Sequence, residues 1–164
     1  TDIKKGTFGR GLNNNEDDPR KVQRTGLLGE MALAKLTGES VDVAYKARGD
    51  SYDLLIAGKD TDIKTGMKNN GRNFIRVRSD SGRETNWKKS LFISAYIVSE
   101  NRQERTAVVA IVGWNNLEDA MNVPEVNAWK GTHKNRELLF ENTRPIMELL
   151  KLHNHYKTEM VCSG

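Results

Sequence analysis

Two acidic residues and a lysine, spaced as on neighbouring strands, are the side chains of this sequence best suited to metal-assisted chemistry. They lie in segment 53–64, which reads Asp-Leu-Leu-Ile-Ala-Gly-Lys-Asp-Thr-Asp-Ile-Lys. Two short apolar runs meet across residues 58–60, where glycine and aspartate favour a turn, so the segment predicts a β-hairpin. Asp62 and Lys64 then share one face of a strand, while the residue between them points into the core. If the loop holds an even number of residues, Asp53 faces the strand close to Lys64, on the same side.

The ligand types in this trio predict a hard divalent cation. Carboxylate oxygens without clustered cysteine or histidine favour Mg²⁺ or Mn²⁺ over Zn²⁺. Such an ion polarises a phosphoryl oxygen, and a nearby ammonium such as Lys64 can act on the attacking water. The residues therefore predict a metal-assisted reaction. The alternative is an exposed ion pair on a hairpin, which contributes little stability.

A helix that precedes the hairpin carries a further acidic residue. Residues 17–19, Asp-Asp-Pro, predict its start, and Gly38 predicts its C-terminal cap. Gly26 and Gly29 lie inside the helix, where each glycine costs about 1 kcal/mol relative to alanine. This cost predicts that another element packs closely on their face. Glu30 stands beside them in an otherwise apolar segment, either at the wet edge of the helix or held for a purpose.

The remaining patterns predict an α/β (α+β) fold with one central mixed sheet flanked by helices. The whole chain, 1–164, is predicted to form one domain, in which 1–16 is a flexible basic arm. Further predicted elements are strands at 41–47, 50–57, 61–67, 74–78, 91–98 and 106–112, a short helix at 115–121, an irregular stretch at 123–136, and an amphipathic helix from 143 to about 156.

Composition limits the classes of protein and partner. Hydrophobic residues make up 37% of the chain and charged residues 29%, and the longest apolar runs are far too short to cross a bilayer. No apolar segment follows the charges at the amino terminus, and the single cysteine, Cys162, has no intrachain partner. Both features predict a cytoplasmic protein. A net charge of +4 is compatible with a phosphate-bearing partner.

A basic stretch follows the hairpin directly. Between Gly66 and Lys89 only Asp80 and Glu84 are acidic. Because a DNA duplex approaching carboxylates needs its phosphates neutralised, this stretch predicts the DNA contact. The alternative is the wet face of an edge strand. The predicted contact residues are Lys68, Arg72, Arg76, Arg83, Lys88 and Lys89.

The order of a helix bearing Glu30, then Ser-Tyr-Asp-Leu-Leu-Ile, then Asp-Ile-Lys-Thr resembles the PD-(D/E)xK nuclease superfamily. That superfamily includes many restriction endonucleases, Holliday junction resolvases and phage exonucleases. The resemblance covers residues 24–67. Tyr52, rather than proline, precedes Asp53. The same tripeptide recurs at residues 2–4, so the setting of Asp-Ile-Lys carries the resemblance, not the tripeptide alone.

The resemblance implies a restriction-endonuclease-like core and a role for each matching residue. Asp53 and Asp62 bind a divalent cation, Mg²⁺ or Mn²⁺, and the backbone carbonyl of Ile63 is a further ligand. Lys64 orients or deprotonates the attacking water. Glu30 corresponds to the acid that serves a second metal ion.

Together these features predict a Mg²⁺-dependent DNA endonuclease, either structure-selective or of the phage type. One small domain leaves no room for an elaborate base-reading module. Cutting both strands would require two active sites, which predicts a homodimer by analogy. The alternatives are a non-catalytic nucleic-acid-binding module of the same fold, an exonuclease, or an RNA-processing nuclease.

Overall fold

A computed structural model of the protein describes residues 19–40, 54–67, 73–78, 91–127, 131 and 134–163, which form an α+β fold. A mixed sheet is flanked by helices, as the sequence predicts. The helices are α1 (Pro19–Thr37), α2 (Leu117–Met121) and α3 (Ile146–Ser163), and the strands are β1 (Leu54–Ile56), β2 (Lys59–Met67), β3 (Phe74–Arg78), β4 (Leu91–Asn101), β5 (Thr106–Asn116), β6 (Glu125–Asn127) and β7 (Lys134–Leu139).

The mixed sheet has the strand order β1-β2-β4-β5. Strands β1 and β2 are antiparallel, β2 and β4 are parallel, and β4 and β5 are antiparallel. Parallel neighbours need a crossover connection, and β3 lies in the segment between β2 and β4. The register aligns Asp62 with Phe92 and Phe92 with Asn115, so these three residues form one row across the sheet.

Strands β3, β7 and β6 form a second, antiparallel sheet, where the sequence predicts only one sheet. Ile75, Val77 and Leu138 from this sheet pack against Phe92 of β4 and Ala120 of α2. The prediction of an irregular stretch at 123–136 is wrong, because β6 and the start of β7 fall within it. All three residues of β6 are exposed and β7 is largely polar, so neither shows the apolar alternation that predicts a strand.

The opposite face of the mixed sheet packs against α1 and α3. Leu33 of α1, Ile63 of β2, Ile93 of β4 and Leu149 of α3 belong to this core. Helix α1 ends as predicted, because Gly38 has a φ of 76° and the Glu39 N–H donates to Ala34 O at 3.0 Å. That bond and the left-handed glycine form a Schellman cap.

The β1–β2 hairpin turns at Ala57 and Gly58, one residue earlier than the predicted joint at 58–60. Both turn residues have positive φ, 51° and 74°, as a type I′ turn requires. The Ala57 N–H donates to His153 Nδ1 at 2.9 Å, and a Cβ at Gly58 would lie 3.0 Å from the Tyr156 ring. Contacts with α3 therefore fix a turn that glycine position alone does not locate.

The other predicted elements agree with the structure where it describes them. Strand β3 has the predicted bounds, and β4, β5 and α3 extend beyond theirs at the carboxyl end. The predicted strand at 41–47 and the basic arm at 1–16 lie outside the described residues. Among the described helices, none combines the length and apolar character needed to cross a bilayer.

Candidate metal and phosphate site on strand β2

Asp62 and Lys64 lie together on one face of β2, as their spacing predicts. The Lys64 ammonium is 2.9 Å from Asp62 Oδ2. Asp62 is only 2% exposed, whereas the Lys64 side chain is 31% exposed. Strand β2 has a neighbour on each side, so the carboxylate is shielded while the longer lysine side chain reaches the surface. An exposed ion pair on a hairpin therefore does not describe this pair.

The face that carries Asp62 and Lys64 is directed towards the second sheet. Ile63, between them, belongs to the core beneath α1 and α3, and side chains alternate along a strand. Asp62 is aligned with Phe92, which packs against β3 and β7. The site therefore lies on the side of the mixed sheet opposite to the main helical core.

Helix α1 packs closely against β2 at Gly29. A Cβ at this position would overlap Thr65 Oγ1, so only glycine fits without a shift of the helix or of the threonine. The predicted close contact is confirmed here. It is wrong for Gly26, because nothing lies within 4 Å of a Cβ built there.

Glu30 follows this contact directly in the sequence and is half-buried. Lys64 directly precedes the other partner of the contact, Thr65. The backbones that carry Glu30 and Lys64 are therefore close neighbours, because each adjoins a residue of the Gly29–Thr65 contact.

Ser94 is a polar group at the site that the sequence does not single out. It is aligned with Lys64 in the parallel β2–β4 ladder, so both side chains lie on the same face. Ser94 is fully buried, and its hydroxyl makes no hydrogen bond within the described part of the chain. A buried hydroxyl without a partner costs roughly 1–3 kcal/mol. A hydrogen bond from this hydroxyl to a bound ligand would offset the cost.

Several predicted site residues lie outside the part of the chain that the structure describes. Asp53, the first predicted metal ligand, lies outside the described residues. The same holds for most of the predicted phosphate contacts, namely Lys68, Arg72, Arg83, Lys88 and Lys89.

Arg76 is the one predicted phosphate contact that falls within the described ranges, and it lies on β3. Its Nε is 3.5 Å from Glu137 Oε1 on β7, and its guanidinium lies 5.3 Å from the centre of the Phe74 ring. The side chain is 36% exposed. Arg76 therefore has partners inside the second sheet but keeps access to solvent.

The oxygen donors on β2 match the preference of Mg²⁺ for hard ligands. Asp62 supplies a carboxylate and Ile63 a backbone carbonyl at consecutive positions. Within the ranges that the structure describes, no group of three or more histidine, cysteine, aspartate or glutamate side chains is arranged to hold a metal ion. The donor types fit Mg²⁺, and a complete site needs a further acid.

His153 is nearly fully buried and has a structural role. Its Nδ1 accepts from the Ala57 N–H, so Nε2 carries the proton and donates to Glu39 Oε1 at 2.9 Å. Lys157 Nζ lies 2.8 Å from the same carboxylate oxygen. The hydrogen bond from Lys157, followed by that from His153, holds the pKa of Glu39 below its usual value, although burial opposes the shift. Together these groups join α1, the β1–β2 turn and α3.

Comparisons with protein-family models, with curated proteins and with solved structures give no match for this chain. Among the described residues, the buried Asp62 with Lys64 and Ser94 on one face of β2 is the group best suited to chemistry.

Proposed function

We propose that the protein is a Mg²⁺-dependent DNA endonuclease with a restriction-endonuclease-like core of the PD-(D/E)xK type. The observation that carries the proposal is the nearly complete burial of the Asp62 carboxylate, 2.9 Å from the Lys64 ammonium. Removing a carboxylate from water costs several kcal/mol, and active sites are where buried ionisable groups are arranged at such a cost. The burial of this carboxylate therefore supports a functional role. Its setting favours the binding of a divalent cation.

The register of the hairpin supports a second carboxylate at the same place. The described β1–β2 ladder pairs Leu54 with Thr61. The proposal assumes that this antiparallel pairing continues by one more residue pair, which would bring Asp53 opposite Asp62. Two carboxylates and the carbonyl of Ile63 form an all-oxygen ligand set of the kind that Mg²⁺ accepts.

Each residue has a distinct role in the proposed reaction. Asp53, Asp62 and the Ile63 carbonyl would hold the ion. Glu30 lies on α1, on the opposite face of the sheet, and would reach the ion past the end of the described β1–β2 pairing. When bound, Mg²⁺ supplies Lewis-acid polarisation of the scissile phosphate. Lys64 Nζ donates hydrogen bonds to the attacking water or accepts its proton.

The groups around these residues would position the reaction partners. The Ser94 hydroxyl, buried in the register position beside Lys64, would donate a hydrogen bond to the bound phosphate or to its water. The basic residues 68–89 would neutralise the DNA phosphates on either side of the cut. Affinity for DNA should accordingly fall with rising salt.

Nicking of supercoiled plasmid DNA in the presence of Mg²⁺ tests the proposal. Asp62→Asn and Lys64→Ala should each lower the nicking rate by about a hundredfold or more, because each removes a group that acts on the reacting atoms. Asp60→Asn is the matched control, since Asp60 is a half-buried aspartate on the same strand and should retain the wild-type rate. Asp62→Asn cutting as fast as Asp60→Asn would refute the assignment.

The same assay separates the alternatives. Circular plasmid is cut only by an endonuclease, so degradation of linear DNA alone would identify an exonuclease. Binding of DNA without cleavage under any divalent cation would identify a non-catalytic module of the same fold. A parallel RNA substrate tests for an RNA-processing nuclease.

A further inference from the structure

A groove of about 600 Å³ lies on the same side of the mixed sheet as Asp62 and Lys64, between α2, β7 and the segment that leads into α3. Its volume is within the range of small-ligand sites. Three asparagines line it, and Val123, Leu138 and Leu139 give it apolar walls. The asparagines are Asn115, Asn122 and Asn142.

The β-sheet register connects this groove to the proposed catalytic site. Asn115 of β5 is aligned with Phe92 of β4, which is aligned with Asp62 of β2. Two inter-strand spacings separate Asn115 from Asp62, or roughly 10 Å between Cα atoms. Stacked nucleotides rise by about 3.4 Å each. The groove therefore lies within a few nucleotides of a phosphate held at Asp62.

The charges that line the groove are already neutralised by neighbours. Arg144 donates to both carboxylate oxygens of Asp119, through Nε at 2.7 Å and Nη2 at 2.9 Å. This pair lowers the pKa of Asp119 and raises that of Arg144, so both stay charged. Glu137 is paired with Arg76. Because no uncompensated cation faces the groove from these groups, an anion is a poor ligand for it.

The chemistry that remains is that of amides and one rigid planar group. Each asparagine offers a donor and an acceptor, which match the mixed donors and acceptors of a nucleobase edge. The Arg144 guanidinium is fixed by Asp119 and lies 5.3 Å from the centre of the Trp114 ring. Planar guanidinium groups and apolar side chains stack on unpaired bases.

We propose that this groove binds an unpaired nucleobase of the DNA substrate. A base within a duplex has its Watson–Crick edge occupied and cannot offer it to the asparagines, whereas an unpaired base can. The inference rests on the proposed nuclease function and names its substrate class, DNA with single-stranded nucleotides close to the cut. Selectivity for DNA structure would then come from this groove and not from base sequence.

Two exposed asparagines permit a test that does not disturb the core. Asn122 and Asn142 are exposed lining residues, so Asn122→Ala with Asn142→Ala should fold normally. Asn154→Ala, at an exposed position of α3, is the matched control. Thermal melting by circular dichroism should give the same Tm for both variants.

The measurement is the affinity for a short single-stranded oligonucleotide and for an abasic oligonucleotide of the same length, by fluorescence anisotropy in EDTA. Wild type should bind the base-bearing strand roughly tenfold more tightly than the abasic strand, because the abasic strand offers no base edge for the asparagines to hydrogen-bond. The double variant should lose this difference, and Asn154→Ala should keep it.

Equal binding of both strands by wild type, or a double variant that behaves like Asn154→Ala, would overturn the inference. Because EDTA prevents metal-dependent cleavage, the result is independent of catalysis. A protein that nicks plasmid without base discrimination retains the nuclease assignment and loses the groove. Base discrimination without nicking supports the groove and removes the nuclease assignment.

Discussion

Ser94 is a residue whose burial carries a cost to folding. Its hydroxyl is fully buried beside Lys64 without a hydrogen bond in the described residues. Alanine at this position would remove the cost of that hydroxyl, which is roughly 1–3 kcal/mol. A residue that serves a site at the expense of stability fits the general trade-off between the two.

We therefore predict that Ser94→Ala lowers plasmid nicking while the free energy of unfolding stays equal or rises. The expected loss of rate is about tenfold, because a positioning residue is removed and not a reacting group. Urea titration and nicking rates measured on the same preparation give both values. A variant that loses stability and keeps its rate would show that Ser94 is an ordinary core residue.

The position of Asp62 could be predicted from the sequence, whereas that of Ser94 could not. The shared face of Asp62 and Lys64 follows from the two-residue period of a strand, and the structure agrees. Ser94 was not predicted as a site residue, because its place beside Lys64 depends on the parallel register between β2 and β4. Register between strands distant in the sequence leaves no local pattern.

At the scale of elements, the approach of α1 to β2 depends on one glycine. Gly29→Ala should destabilise the protein by about 1–3 kcal/mol, because its Cβ would overlap Thr65 Oγ1. Gly26→Ala is the matched control within the same helix. It should be neutral or stabilising by up to about 1 kcal/mol, since nothing lies within 4 Å of its Cβ.

Chemical denaturation of the two variants, together with Gly29→Ala/Thr65→Ala, measures this contact. The double variant should recover part of the loss, because the overlapping hydroxyl is gone. If Gly29→Ala and Gly26→Ala have equal stability, then α1 and β2 are not in close contact at residue 29.

A second link between elements depends on the Glu39 carboxylate. Its pKa is lowered first by the hydrogen bond from Lys157 and then by that from His153. Since the folded-state pKa is below the unfolded value, Glu39 contributes stability above its usual pKa of about 4.5. That contribution is lost as the pH falls through the lowered folded-state value.

We expect the free energy of unfolding of wild type to fall more steeply below about pH 4.5 than that of Glu39→Gln. Lys157→Met should reduce the slope as well, because it removes the largest cause of the shift. Urea unfolding at a series of pH values gives the comparison. Parallel acid profiles of wild type and Glu39→Gln would contradict the role of this carboxylate.

At the scale of the whole molecule, the sequence predicts the α+β class and most elements of the mixed sheet. Strand β3 alternates cleanly and has the predicted bounds, and Gly38 ends α1 as expected. The second sheet was not predicted, because the charged Arg136 and Glu137 break the apolar alternation of β7, and they are paired with residues of the neighbouring strands β6 and β3. Long-range pairing, and not local propensity, makes β6 and β7 strands.

The two faces of the mixed sheet carry different groups of residues. One face packs on α1 and α3 and forms the larger core. The other carries Asp62 and Lys64 and, further along the same row of the sheet, Asn115 at the groove. Phe92, between them in this row, is buried against the second sheet, so a DNA strand would contact the proposed catalytic residues and the proposed base site on either side of it.

If Asp62 helps to hold a divalent cation, a crystal soaked with Mn²⁺ should show the ion beside it. We expect an anomalous peak about 2.1 Å from the Asp62 carboxylate and the Ile63 carbonyl, with Asp53 as a further ligand. The Asp62→Asn crystal, soaked in the same way, should lack this peak. Wild-type crystals without a peak at Asp62, even at high Mn²⁺ concentration, would rule out a metal-binding role for Asp62.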